Sequence, residues 1–226
     1  MQARTRSLNL IILGAPGAGK GTHSRFIVDT YKIPHISTGE IFRDAIEERT
    51  PMGVKANEFI SRGELVPDDI TVGIVRERLL KDDAKSGFLL DGFPRTLAQA
   101  EALDRMLSER GESVSAVIDA ECDEKVLLRR ICTRRVCSEC GNSFNILTLK
   151  PKVEGICDYC GGTLIQRKDD TEEAFRIRMS EFKAKTEPLV EYYSKKGLLF
   201  VFDTSDGDVP RGNAQISSYL DGILSR

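Results

Sequence analysis

Gly14-Ala15-Pro16-Gly17-Ala18-Gly19-Lys20-Gly21-Thr22 follows directly on the apolar run Leu8 to Leu13. The run has the length and aliphatic content of a parallel strand buried on both faces, and the glycines behind it let the backbone turn tightly. Such a turn points successive N–H groups inward as a nest for an anion, and a helix starting at its end adds its positive pole. Lys20 can reach the β- and γ-phosphates of a nucleotide, and Thr22 offers a hydroxyl near a magnesium ion. The GxxxxGK spacing therefore predicts strand, phosphate-binding turn and helix. Gly21 departs from it, standing where Ser or Thr usually follows the lysine. An ordinary glycine-rich turn between strand and helix is the competing reading.

Outward from this turn, strand-like and helical patterns alternate. Thr22 to Tyr31 reads as a helix, Ile33 to Ser37 as a short strand, and Thr38 to about Arg49 as a second helix. Pro51 and Gly53 break that helix, and another carries Val54, Phe59 and Ile60 to Gly63. Asp68 or Asp69 can cap a helix with Ile70, Ile74, Val75, Leu79 and Leu80 at helical spacing. Gly87 to Asp91 and Val114 to Asp119 read as buried strands, with helices from Thr96 to Arg110 and from Asp123 onward. Periodicity fails between Val136 and Gln166, then resumes at Glu172 and runs to Lys196-Gly197 with a bend expected at Pro188. Leu198 to Phe202 makes the last strand and Asn213 to Leu224 the last helix. This alternation implies a parallel sheet covered on both faces, with ligands at the carboxyl ends of its strands, where Gly14, Ser37, Asp91 and Asp119 emerge.

At 226 residues the chain can bury one sizeable core, and its 33 basic and 35 acidic residues leave a net charge of −2. That balance argues against nucleic acid or an anionic membrane as main partner. No stretch approaches the ~20 apolar residues that span a bilayer. Met1 to Ser7 carries Arg4 and Arg6, but the apolar run behind it feeds the phosphate turn, and cleavage there would destroy the first strand. A cytoplasmic protein is expected.

Four of the six cysteines form two pairs, Cys137-x-x-Cys140 and Cys157-x-x-Cys160, with residues 141–156 between them. The spacing falls in the window for a structural zinc site, in which four thiolates leave no open position for catalysis. Two disulfides, disfavoured in a reducing cytosol, and four unrelated thiols are the alternatives. Cys122 and Cys132 fall outside the pattern and read as small packing residues.

Taken together, these segments resemble the adenylate kinase family in its long, zinc-containing form. The resemblance covers nearly the whole chain and rests on Gly14 to Thr22, His35-Ile-Ser-Thr-Gly39, Asp91-Gly-Phe-Pro-Arg-Thr96, Arg134-Arg-Val-Cys137, Gln166-Arg-Lys-Asp-Asp170 and Thr186-Glu-Pro-Leu189. Gly after the lysine is that family's habit. The resemblance implies an α/β fold: a P-loop core of residues 1–36, 67–132 and 171–226, a nucleoside-monophosphate-binding insertion at 37–66, and a zinc-binding lid at 133–170. It implies a monomer that interconverts ATP plus AMP with two ADP, using Mg2+ with ATP and structural Zn2+ held by Cys137, Cys140, Cys157 and Cys160.

By the same resemblance, Gly17, Ala18, Gly19, Lys20, Gly21, Thr22, Arg130 and Arg134 hold ATP. Thr38, Gly39, Arg43, Val66, Gly92, Arg95, Gln99, Arg167 and Arg178 serve the AMP side. The catalytic candidates are Lys20, Arg95, Arg130, Arg134, Arg167, Arg178 and Asp91. Arg43 and Arg95 hold the AMP phosphate, Arg130, Arg134, Arg167 and Arg178 surround the transferring group, and Asp91 holds magnesium through water or else caps the following turn. Arginine suits this work because its planar fork meets phosphate oxygens bidentately. Arg130 and Arg134 share a face if their helix continues. Arg129, Arg135 and Arg176 read as solvated. Asp169 and Asp170 can pair with lid arginines, and Asp170 with Glu173 also makes a helix cap.

Three features depart from the family pattern. His23 stands in place of Gln, without expected effect on phosphate binding. Phe144-Asn145 replaces Tyr-His, and Asp203 to Gly207 is longer than the usual turn near the ATP adenine. Two rival functions remain: a kinase of the same fold acting on UMP or CMP, and an ATP sensor whose zinc ribbon binds protein or nucleic acid. The latter wants a basic, aromatic ribbon surface. Lys150, Lys152, Phe144 and Tyr159 instead mix with Glu139, Glu154 and Asp158.

Overall fold

The computed structural model describes residues 7–225; Arg4 and Arg6 lie outside the described residues. In chain order the elements are β1 (Leu8–Gly14), α1 (Lys20–Tyr31), β2 (His35–Ser37), α2 (Thr38–Glu47), α3 (Pro51–Ile60) and α4 (Asp68–Leu79). Next come β3 (Gly87–Asp91), α5 (Leu97–Ser108), β4 (Ala116–Glu121), α6 (Glu124–Cys132), β5 (Arg134–Cys137), β6 (Ser143–Asn145) and β7 (Leu164–Ile165). The chain closes with α7 (Glu172–Glu181), α8 (Pro188–Lys195), β8 (Leu199–Asp203) and α9 (Val209–Leu224).

β1 organises the core because its pleat sends alternate aliphatic side chains to opposite faces. Leu8, Leu10 and Ile12 pack on one side with Ile27, Leu127, Ile216 and Leu220. Ile11 and Leu13 pack on the other with Val75, Leu103, Leu107, Leu189 and Tyr193. The sheet runs β2-β3-β1-β4-β8, every pair parallel, with Leu10 opposite both Leu89 and Ala116. After β1 the chain crosses toward β2 and β3, and later strands add on the opposite edge through β4. The turn after β1 therefore sits at the switch point where an open α/β sheet leaves a crevice.

Two smaller clusters stand outside this core. α2 and α3 enclose Phe42, Ala56 and Val66. Strands β6-β5-β7 form an antiparallel sheet beside Cys137, Phe144, Cys157 and Leu164. Among the described residues no helix is long and apolar enough to cross a membrane.

Several boundaries differ from those expected. Pro51 opens α3 at a position where its missing N–H costs nothing, and Thr50 caps the helix by accepting from Gly53 N at 3.0 Å. Gly53 is obligatory for packing: a Cβ there would lie 1.9 Å from the Ala45 carbonyl oxygen. The bend expected at Pro188 is spread over 182–186 as a π-helical turn, with Glu187 N donating to Phe182 O at 2.9 Å. Proline cannot donate and its ring crowds the preceding turn, so the ladder adjusts upstream. α9 starts at Val209, four residues earlier than periodicity suggested, because Asp208 caps it and Pro210 fits its first turn. Asp119 does not emerge at a strand end; β4 continues to Glu121 and leaves it 3% exposed inside the sheet.

Candidate active site

The turn after β1 opens into a cleft of about 450 Å³. Gly19 precedes α1 in the left-handed conformation (φ 88°), which glycine adopts at no steric cost. Lys20 Nζ donates to the carbonyl oxygens of Gly14 (2.7 Å) and Ala15 (3.0 Å), which bends the side chain back over the turn. Desolvation in the cleft pulls its pKa down to about 8, opposed by Asp91 and assisted by Arg95, Arg178 and Arg134.

Among the described residues seven arginines line the same cleft: Arg25 on α1, then Arg43, Arg95, Arg130 and Arg134, Arg167 and Arg178. Arg95 leaves the strand end of β3, its Nε donating to Gly92 O at 2.9 Å. Arg43 and Arg167 have no hydrogen-bond partner among the described residues, so each presents a full set of donors. Burial, then the neighbouring Arg43 and Arg134 charges, lower Arg167 to about 10. Arg178 is likewise lowered to about 10, first by burial, although Asp169 opposes that shift from 2.9 Å. Crowded, partly desolvated cations of one sign form a site for a polyanion.

Asp170 accepts from Arg134 in a bidentate pair, Nε to Oδ2 at 2.9 Å and Nη2 to Oδ1, with the carboxylate fully buried. It does not cap α7; Thr171 does, accepting from Ala174 N at 3.2 Å. Arg130 and Arg134 do not share a helix face, since α6 ends at Cys132 and Arg134 begins β5. Arg130 instead ties α6 to the turn after β8, its Nη2 donating to Thr204 O at 2.6 Å. Arg129 and Arg176 are exposed, whereas Arg135 folds back onto the Arg134 carbonyl at 2.7 Å.

Gly17, Ala18, Gly19, Gly21, Thr22, Gly39, Asp91 and Gly92 also line the cleft. Burial tends to raise the Asp91 pKa, but His35, Lys20 and Arg95 outweigh it and hold the carboxyl below its ordinary range. Thr38, Val66 and Gln99 lie off the cleft. Thr38 Oγ1 donates to Gly92 O at 2.9 Å, and Val66 packs with Phe42 and Ala56. Gln99 is 2% exposed with both ends of its amide bonded: Oε1 accepts from Arg95 N (2.7 Å) and Nε2 donates to Asp68 Oδ1 (2.7 Å). Asp68 thus lies within the first turn of α4 and orients Gln99 and Thr96, rather than capping the helix.

Residues not assigned a site role in the sequence also shape the cleft. His35 Nε2 lies 3.4 Å from Asp91 Oδ2, an ion pair when the imidazole is protonated. His23 is buried, bonded through Nδ1 to Asn213 Oδ1 at 2.8 Å and edge-on to Phe202, so it joins α1 to α9. Thr204 Oγ1 donates to Ala18 O at 3.0 Å and fixes the longer turn after β8 against the phosphate loop. Asn145 braces the small sheet, its Nδ2 donating to Arg130 O (3.1 Å) and Thr133 Oγ1 (2.9 Å). The Cys122 thiol accepts from Arg130 at 3.3 Å.

The thiol sulfurs of Cys137, Cys140, Cys157 and Cys160 all lie within 4.8 Å of one another. The Cys137–Cys160 and Cys140–Cys157 separations, 3.4 and 3.6 Å, are far beyond a disulfide's ~2.05 Å. They approach the ~3.8 Å expected between sulfurs around a tetrahedral zinc with Zn–S ~2.3 Å. The donor set fits structural zinc.

A sequence profile described as "Adenylate kinase" matches residues 12–198. The chain belongs to the adenylate kinase family. It is 54% identical over 196 residues to the adenylate kinase of Fervidobacterium nodosum, covering 87% of this chain and 90% of that one. The adenylate kinase of Geobacillus sp. WCH70 is 49% identical over 216 residues, 96% of this chain and the full length of the relative. That of Bacillus subtilis is 53% identical over 192 residues, 85% and 88% of the two chains. As a member of the adenylate kinase family, the chain is a phosphotransferase of the nucleoside monophosphate kinase class, which accounts for a cleft crowded with guanidinium groups.

Proposed function

We propose that the protein catalyses reversible, Mg2+-dependent phosphoryl transfer from ATP to AMP, giving two ADP. The observation that carries this reading is the convergence of Lys20, Arg43, Arg95, Arg130, Arg134, Arg167 and Arg178 on one cleft beside the glycine-rich turn. Phosphoryl transfer needs in-line alignment and charge stabilisation more than covalent work by the protein. The loop N–H groups and Lys20 would cradle the ATP phosphates, with Arg130 and Arg134 beside them. Arg43 and Arg95 would hold the AMP phosphate, with Arg167 and Arg178 spanning the transferring group. Asp91, kept ionised by its cationic neighbours, would hold magnesium through water, and the ion when bound supplies charge neutralisation between the β- and γ-phosphates.

In this reading, residues 133–170 and 37–66 close over the two nucleotides and exclude water, so that the guanidinium charges act at low dielectric. Cys137, Cys140, Cys157 and Cys160 would hold zinc as a staple for the small sheet and take no part in the chemistry. The protein would work as a monomer.

One observation favours a second reading of the acceptor. The Gln99 amide, the group expected to read the adenine edge, already bonds Asp68 and Arg95 N. Initial rates with ATP and each of AMP, UMP and CMP separate the alternatives. ADP formed fastest from AMP supports the first, and faster turnover of UMP or CMP overturns it.

A further inference from the structure

We propose that Arg25 is a positioning residue that holds the cysteine-bearing sheet closed over the cleft, acting through the Tyr159 ring and the charge of the four-thiolate site. The inference deepens the proposed function, since it rests on lid closure being part of turnover.

Among the described residues, the sheet approaches the phosphate-binding side near Arg25, Gly21 and Gly141. The Arg25 guanidinium lies over the Tyr159 ring, 5.9 Å from its centroid. A Cβ placed on Gly21 would lie 4.0 Å from Ser143 Oγ, and one on Gly141 would lie 3.7 Å from Glu40 Oε1. The first cysteine pair and its following residues therefore rest on both α1 and α2. Only the Arg25 contact is attractive by charge as well as by shape, because the face of an aromatic ring is electronegative.

The guanidinium is aimed. Its Nε donates to Asp29 Oδ2 at 2.7 Å, one helical turn along α1, which fixes the plane of the fork and leaves both terminal nitrogens for the lid. Tyr159 lies between Cys157 and Cys160, so its ring is carried by the same loop that supplies two of the thiols. Phe144 backs it with a ring centroid 5.9 Å away. Cys140 and Arg25 line the same cleft. Four thiolates around a divalent zinc carry a formal −2, so the metal site that folds the sheet also draws it toward Arg25. Arg25 touches no substrate in the proposed mechanism.

The test is a double-mutant cycle of Arg25→Ala and Tyr159→Leu, with Arg25→Lys as the conservative variant, all checked for one zinc per chain. A cation over an aromatic ring at an exposed site is worth roughly a 2- to 5-fold change in an equilibrium constant. Each single variant should raise KM for ATP by about that factor while kcat holds or rises, because opening becomes easier. The double variant should add nothing further, and Arg25→Lys should restore most of the affinity. An independent readout uses fluorotyrosine NMR: the chain has five tyrosines and no tryptophan, so the Tyr159 resonance can be assigned by its loss in Tyr159→Leu. That resonance should move in Arg25→Ala without nucleotide, while the other four stay in place. An unmoved Tyr159 resonance, an unchanged KM, or additive effects in the double variant would overturn the proposal. Failure of the parent protein to turn over AMP would instead defeat the proposed function and leave the resonance test standing.

Discussion

Replacing Asp170 by Ala should leave the Arg134 guanidinium partly buried without its carboxylate. Asp170 is fully buried, and among the described residues its ion pairs are the bidentate Arg134 pair and Arg178 at 3.9 Å. Breaking a buried ion pair from one side costs about 3–5 kcal/mol, mainly through the charge left uncompensated. The Arg134 side chain is 18% exposed, so the lower end applies, about 3 kcal/mol. For a chain of this size that corresponds to a fall in Tm of about 6–12 °C. The two residues bracket the cysteine-bearing sheet, so the damage should concentrate at its neck and lower turnover as well, by releasing Arg134 from its place in the cleft. Thermal melting followed by circular dichroism, on protein carrying its full metal content, measures the shift. Asp82→Ala serves as a control, since that carboxylate pairs with Lys85 in solvent and should leave the melt unchanged. A shift below about 4 °C in Asp170→Ala would refute the reasoning, because a well-solvated pair loses no more than about 1 kcal/mol.

Three further outcomes follow from the same structure. Removing zinc should lower Tm by about 8–16 °C, as expected for a ligand held at a thousandfold excess over its Kd; a melt unchanged after complete chelation would deny the metal a structural role. Lys20→Ala should reduce kcat at least about 100-fold with little change in Tm, and wild-type turnover would contradict the assignment. His23 has its pKa lowered, first by burial and despite the bond to Asn213, so the unfolded chain takes up this proton first as pH falls. Its contribution to stability is present above about pH 6.5 and is lost as pH falls below that value toward the lowered folded pKa. In His23→Gln, denaturant unfolding from pH 7.5 to 5.5 should show a shallower loss of stability than the parent, and parallel profiles would refute the argument.

Features written in local chemistry were legible in the sequence. Leu8 to Leu13 reads as a buried strand because a doubly covered strand needs apolar residues on both faces. Gly14 to Thr22 reads as an anion-binding turn because glycines and a lysine at that spacing suit it. The two cysteine pairs give their grouping directly, since a two-residue gap is what places two thiols on one metal. What escaped depends on partners distant in sequence. Gln99 looks free until Asp68 arrives from another helix, and Arg130 looks like half of a helical pair until Thr204 claims it from 74 residues away. Asp119 looks like a strand-end carboxylate because nothing local signals that pairing of Val117 to Glu121 with β8 carries the strand past it. The π-helical turn at 182–186 escaped for a related reason: proline announces a break but not how far upstream the ladder will adjust.

In the proposed reaction the guanidinium cluster encloses two nucleotides at once. The most direct measurement is a crystal structure with a linked bis-adenosine inhibitor, or with both nucleotides soaked in. It should show one adenosine on each side of the cleft, with phosphates contacted by Lys20, Arg43, Arg95, Arg130, Arg134, Arg167 and Arg178. A single occupied pocket, with those arginines turned to solvent, would contradict it.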